Sequence, residues 1–202
     1  MGVQIVRQLA AAIAPGQVTP IKIAAKYLYG ATASGLAVQA DTIVTAQTTL
    51  DAFPGYSFGR LDDNFETDRQ SLGTVGTTDD SGNAEADVTL PAPARTTKPL
   101  SAQVVLTLVD TNGRTVVHTI DRPVLAATNS IGIRPKFDPY DGLPQGATAG
   151  FDIVDVNPQG QAVAAQGLTW TLSRVDTNYQ WYKEDGVWKW EAITTTRRVA
   201  NG

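Results

Sequence analysis

From Ile21 the side chains of Ile23, Ala25, Tyr27 and Tyr29 alternate with Lys22, Ala24 and Lys26, and only Leu28 breaks the second row. A period of two places each set on its own face of an extended strand, because successive Cβ atoms point to opposite sides. Gly30 and Gly35 then bracket Ala-Thr-Ala-Ser. Glycine accepts positive φ without steric penalty, so the chain can reverse there, and Leu36 and Val38 resume the alternation. A chain written this way is committed to half-buried β-strands.

The same grammar continues on both sides. Strands are expected over residues 3–10, 18–29 and 36–48, separated by Pro15-Gly16 and the Gly30 to Gly35 connection. Residues 51–72, DAFPGYSFGRLDDNFETDRQSL, mix aromatic and acidic residues without a sustained period. They are expected to form a long ordered loop pinned to the sandwich by its large rings. Asp79-Asp80-Ser81-Gly82 is a turn before a strand over 84–90. Prolines at 91, 93 and 99 then make an extended crossing, because proline cannot donate to a ladder. A hairpin over 101–109 and 114–125 is expected to turn at Asp110-Thr111-Asn112-Gly113.

About seven short strands with turn signals and no helical stripe describe a Greek-key sandwich of about 100 residues. The fold class expected is therefore all-β, as two consecutive antiparallel β-sandwich modules, residues 1–126 and 127–202. Residues 126–130 are small and polar, as a connector between modules would be. The second module runs through IGIRPKFD, a strand over 149–156, a turn at Asn157-Pro158-Gln159-Gly160, and a strand over 168–175 to an aromatic hairpin. Its count of about five strands falls short of a seven-stranded sandwich, so the expectation is a module incomplete at its C-terminal side.

Composition narrows the partners. A net charge of −4 offers no broad basic surface for phosphates, which argues against nucleic acid and against anionic membrane. No apolar run reaches the 18 or so residues that span a bilayer, so direct membrane insertion is not expected. The opening MGVQIVRQLAAAIAPG reads as a strand, since the apolar core before Ala12-Ile13-Ala14 is short and contains Arg7. With no cysteine there is no disulfide framework.

Three patterns could carry chemistry. Gly55-Tyr56-Ser57-Phe58-Gly59 fits the G-x-S-x-G elbow, and His118, the single histidine, lies downstream. The elbow requires a parallel strand feeding a helix, which Phe53-Pro54-Gly55 does not supply, so a turn serine in an aromatic loop is the preferred reading. One His and no Cys cannot build a zinc site. Asp62, Asp63, Glu66 and Asp68 crowd one loop without the glycine of a calcium-binding EF-hand, and a solvated acidic loop is preferred. No Gly-rich phosphate loop occurs, and no catalytic residue, cofactor or metal is assigned.

The third pattern is YQWYKEDGVWKWE, which holds three of the four tryptophans. A two-residue loop at Asp185-Gly186 sets Trp181 opposite Trp190 and Lys183 opposite Trp188. Tyr179, Trp181, Trp188 and Trp190 then share one face, which makes them the candidate interaction surface. Such a row could stack on sugar rings or pack against protein. A bare aromatic patch is an aggregation hazard, which favours packing.

Tyr27-Leu28-Tyr29-Gly30 followed by Ala33 and Gly35-Leu36-Ala37-Val38, FPGYSFGRLDD from Phe53, IGIRPKFD from Ile131 and YQWYKEDGVWKWE recur in this order in bacterial alpha-2-macroglobulins. The chain resembles macroglobulin-type, Ig-like β-sandwich domains from the body of such proteins, over most of its length. The resemblance implies a non-enzymatic scaffold in a broad-spectrum endopeptidase inhibitor that traps proteases for bacterial defence. It also implies neighbouring domains of the parent chain as direct partners and target proteases as partners of the full-length protein. The implied location is the periplasm, with the parent anchored by a segment outside this chain. The family's thioester needs a cysteine, which this chain lacks, and no bait-like run is evident. The alternative is a stand-alone adhesion or carbohydrate-binding sandwich using the Trp-rich hairpin.

Overall fold

The structure, a computed structural model, describes residues 3–8, 10–109, 113–125 and 128–202. The described residues are all-β: β1 (Val3–Gln8), β2 (Val18–Tyr27), β3 (Ala37–Ala46), β4 (Ser57–Phe58), β5 (Asp68–Thr77), β6 (Asn83–Thr89), β7 (Leu100–Val109), β8 (Thr115–Val124), β9 (Ser130–Pro135), β10 (Phe151–Val156), β11 (Ala162–Val163), β12 (Thr171–Glu184) and β13 (Val187–Asn201). They fall into two compact units, Met1–Val163 and Ala164–Gly202.

In the first unit, two antiparallel sheets of order β1-β2-β6 and β5-β3-β7-β8 enclose one core. The alternation seen from Ile21 is what fills it. Ile21, Ile23 and Ala25 of β2 join Ala86 and Val88 of β6, Val38, Ala40 and Val44 of β3, and Val104, Leu106 and Leu108 of β7. Each such fully buried Val, Leu or Ile stabilises by about 1.5–3 kcal/mol relative to exposure, before chain entropy is set against it.

The Gly30 to Gly35 connection does reverse the chain, with φ of +94° and +71° at the two glycines. β2 and β3 are not paired with each other, however; the connection carries the chain from one sheet to the other. β2 ends at Tyr27, and Tyr29 is exposed and stacked on Tyr27 with ring centroids 5.3 Å apart. The crossing is held by buried Thr78, whose hydroxyl accepts from the Leu36 N–H at 2.8 Å and donates to the Ala33 carbonyl at 2.7 Å.

Two strands depart from the sequence expectation. β5 begins inside the stretch read as a loop. DRQSLGTVGT is a mostly exposed edge strand, so its sequence carries little alternation. Gly76 is required where it meets β6, since a Cβ there would lie 2.9 Å from the Glu85 carbonyl oxygen. The expected turn at Asp110-Thr111-Asn112-Gly113 and the start of the 126–130 connector fall largely outside the described residues. β7 and β8 do pair antiparallel, from Leu100↔Val124 to Val109↔Thr115.

The other departure is β4. Rather than lying on the first sandwich, the aromatic loop gives a two-residue strand to a third sheet of order β11-β10-β9-β4. Phe58 pairs with Gly132, and its buried ring covers that glycine: a Cβ on Gly132 would lie 2.7 Å from Phe58 Cε1 and Cζ. Phe53 meets Phe58 edge-on at 6.1 Å, and the Arg134 guanidinium sits 4.7 Å from the centre of the Tyr56 ring. The base of the loop is tied down where the Phe58 N–H donates to the Thr48 carbonyl at 2.8 Å.

Truncating Phe58 should therefore open a cavity over Gly132. Urea denaturation of Phe58→Ala is expected to show a loss of about 3–5 kcal/mol, with Phe58→Leu retaining part of it. A loss under about 1 kcal/mol for the alanine variant would mean that the ring does not hold the third sheet.

Candidate interaction surfaces

In the second unit, β12 and β13 form a two-stranded ribbon with the register that the sequence suggests. Trp181 is opposite Trp190, Lys183 opposite Trp188 and Glu184 opposite Val187. The turn is Asp185-Gly186 with φ of +51° and +81°, the two positive values of a type I′ hairpin. Tyr179, Trp181, Trp188 and Trp190 lie on one face, each between 58% and 65% exposed. Tyr179 meets Trp190 edge-on, with centroids 5.5 Å apart and planes at 72°. On the opposite face Lys189 bonds Glu184. At the other end the Trp170 N–H donates to the Gly202 carbonyl at 2.8 Å, and the Gly202 N–H donates back at 3.1 Å.

A second surface escaped the sequence reading. In the third sheet Ile133 pairs with Ile153, Ile131 with Asp155, and Asp155 with Val163. Period two thus collects Ile131, Ile133, Phe151, Ile153 and Val163 on one face, and all five are exposed. The reverse face carries Gly132, Val154 and buried Val156 together with Phe58. Its spacing-two signal was present in Ile131/Ile133 and Phe151/Ile153. At the margin, Asp155 Oδ2 accepts from Asn129 Nδ2 at 3.0 Å, while its Oδ1 is buried with no hydrogen-bond partner among the described residues.

Ser57 and His118 stand in different sheets, Ser57 in β4 and His118 in β8. β4 is antiparallel to β9 and runs into a turn at Gly59 rather than a helix, so the elbow geometry is absent. The acidic loop is engaged by protein donors. Asp62 is paired with Arg60, and Asp63 Oδ2 accepts from the Thr96 hydroxyl at 2.9 Å, the Thr97 hydroxyl at 2.7 Å and the Thr97 N–H. Lys98 Nζ donates to the Asp63 carbonyl. Among the described residues no group of three or more His, Asp or Glu is placed to hold a metal ion.

Comparison with known proteins gives the context of these surfaces. A family model for the bacterial alpha-2-macroglobulin MG5 domain matches residues 3–126, and one for bacterial macroglobulin domain 6 matches residues 132–202. The alpha-2-macroglobulin of Xylella fastidiosa strain Temecula1 is 32% identical over 179 residues, which cover 88% of this chain and 11% of that protein. The Escherichia coli alpha-2-macroglobulin activated by porcine elastase superposes with a TM-score of 0.72 at 26% identity, over 98% of this chain and 18% of that one. The native conformation of the Escherichia coli protein superposes at 0.66 and 25% identity, over 98% of this chain and 13% of that one. The chain thus spans only a small part of the relatives it matches.

The Asp63 cluster makes a pH prediction. Its carboxyl is held below the ordinary range, first by the Thr97 N–H, then by the Thr97 and Thr96 hydroxyls and the Lys98 charge. A lowered folded-state value means that the contribution is complete above the unfolded value of about 3.9 and is lost as pH falls through the folded value. Stability of Asp63→Asn should therefore fall less steeply than that of the parent sequence between about pH 5 and pH 2. Parallel curves would contradict the assignment.

Proposed function

The chain belongs to the bacterial alpha-2-macroglobulin family, and from that premise we propose that it is a pair of scaffold modules, divided near residue 126, in the body of a protease-trapping endopeptidase inhibitor. The observation that carries this reading is the uncovered apolar face of the third sheet. Ile131, Ile133, Phe151 and Ile153 are exposed neighbours on one face, with Val163 beyond Asp155, and exposed apolar patches of this kind mark protein contacts. The ribbon supports it independently. A two-stranded hairpin exposed on both faces has no core of its own and is marginal in water.

In this reading Tyr179, Trp181, Trp188 and Trp190 are a domain-packing surface, and the direct partners of the chain are neighbouring domains of its parent. Proteases are trapped only by the complete protein, which is exported to the periplasm in the service of defence. The chain itself is not an enzyme. Bait and thioester chemistry belong elsewhere in the parent, since a thioester needs a cysteine and these 202 residues contain none. A sugar platform is the weaker reading, because Tyr179 stands edge-on to Trp190 instead of continuing a flat stacking surface.

Mixing the chain in molar excess with elastase or trypsin, and assaying a protein substrate, tests the scaffold reading. The protease rate should be unchanged. Stoichiometric loss of protease activity would overturn the proposal.

A further inference from the structure

The connection between β9 and β10 is the most open segment of the first unit. Residues 138–149 are exposed along their whole length, and Tyr140 is 97% exposed. The backbone bonds of this loop are local: Gly142 N–H to the Asp138 carbonyl at 3.0 Å, Ala147 N–H to the Pro144 carbonyl at 3.0 Å, and Tyr140 N–H to Asp138 Oδ1 at 2.8 Å. The neck is closed by the Lys136 N–H donating to the Gly150 carbonyl at 2.9 Å. Opening residues 138–142 breaks two local bonds and leaves the sheet intact.

We propose that the Tyr140–Asp141 peptide bond is a processing site for a chymotrypsin-like endopeptidase, and that the cut chain stays folded. This does not rest on the scaffold reading. Such a protease takes a large apolar or aromatic side chain into its specificity pocket and needs the flanking backbone free to extend. Tyr140 meets both needs. Hydrolysis adds one water across the bond, leaving a carboxylate on Tyr140 and an amine on Asp141.

Several competing positions are obstructed. Phe137 packs edge-on against Phe151 with centroids 5.6 Å apart, at the neck of the loop. Leu143 is followed by Pro144, whose ring occupies the position of the leaving N–H. Leu61 is exposed, but it lies between Arg60, paired with Asp62, and Asp63, held by Thr96 and Thr97. Tyr29 stacks on Tyr27 in a turn closed by the Gly30 N–H to the Tyr27 carbonyl at 2.8 Å. The rings of the ribbon sit on a backbone engaged in an antiparallel ladder.

After the cut, both flanks remain tied. β9 and β10 are in register from Ser130↔Val156 to Pro135↔Phe151. Asp152 of β10 bridges Arg134 at 2.9 Å and Lys136 at 2.8 Å on the other flank. Residues 1–140 and 141–202 should therefore remain one particle.

Brief digestion of the native 202-residue chain with a low amount of chymotrypsin, followed by mass spectrometry and size-exclusion chromatography, tests this. The first products should be 1–140 and 141–202, coeluting at the volume of the intact chain. Tyr140→Ser should abolish both fragments, and Tyr140→Phe should restore them. A first cut at Leu61 or within residues 179–193 would overturn the proposal. So would separation of the fragments in native buffer, or resistance of the native chain at a dose that digests the unfolded chain.

Discussion

The ring of Phe58 over Gly132 is the contact on which the arrangement of the first unit depends. It makes a loop leaving β3 supply the edge strand of a sheet that begins more than 70 residues later in the chain. Without a buried ring at that position, Gly132 would leave a gap between β9 and the loop. With a larger residue at 132, the ring would have no room. The aromatic pairing of Phe53 with Phe58 and the Arg134–Tyr56 stack keep the loop directed onto that sheet. Such a contact fixes one alignment of the two sheets because it is both buried and shape-specific.

What the sequence disclosed follows from where side chains were forced into a pattern. β2, β3, β6 and β7 have one face in the core, so alternation marked them. Asp185-Gly186 determined the ribbon register, because a type I′ turn leaves no freedom in the pairing. β5 carried little signal, since an edge strand with Gly73, Gly76 and mostly exposed residues has no reason to alternate. β4 is two residues long, and its partner is remote in sequence, so its place was set by Phe58 packing that no local pattern expresses. Of the two surfaces, the tryptophan face was legible from its composition. The face of Ile131, Ile133, Phe151 and Ile153 was hidden because apolar alternation ordinarily signals burial, and the sequence does not say which face is covered.

These two surfaces have a common physical character. Each presents large apolar side chains on a strand face that its own unit does not cover, while the sandwich core of β2, β3, β6 and β7 is fully enclosed. The contrast separates a region that can fold on its own apolar burial from regions that gain from association. In a family whose relatives are far longer than this chain, the association proposed is with the rest of the parent, and the role proposed is that of a scaffold.

The most direct measurement is peptide-resolved hydrogen exchange of residues 151–156 and 179–193, in this chain alone and within the complete parent protein. If the apolar face and the ribbon are covered by neighbouring domains, both segments exchange markedly more slowly in the parent. Core segments such as residues 102–108 should change little. Equal exchange of both surface segments in the two contexts would contradict the account.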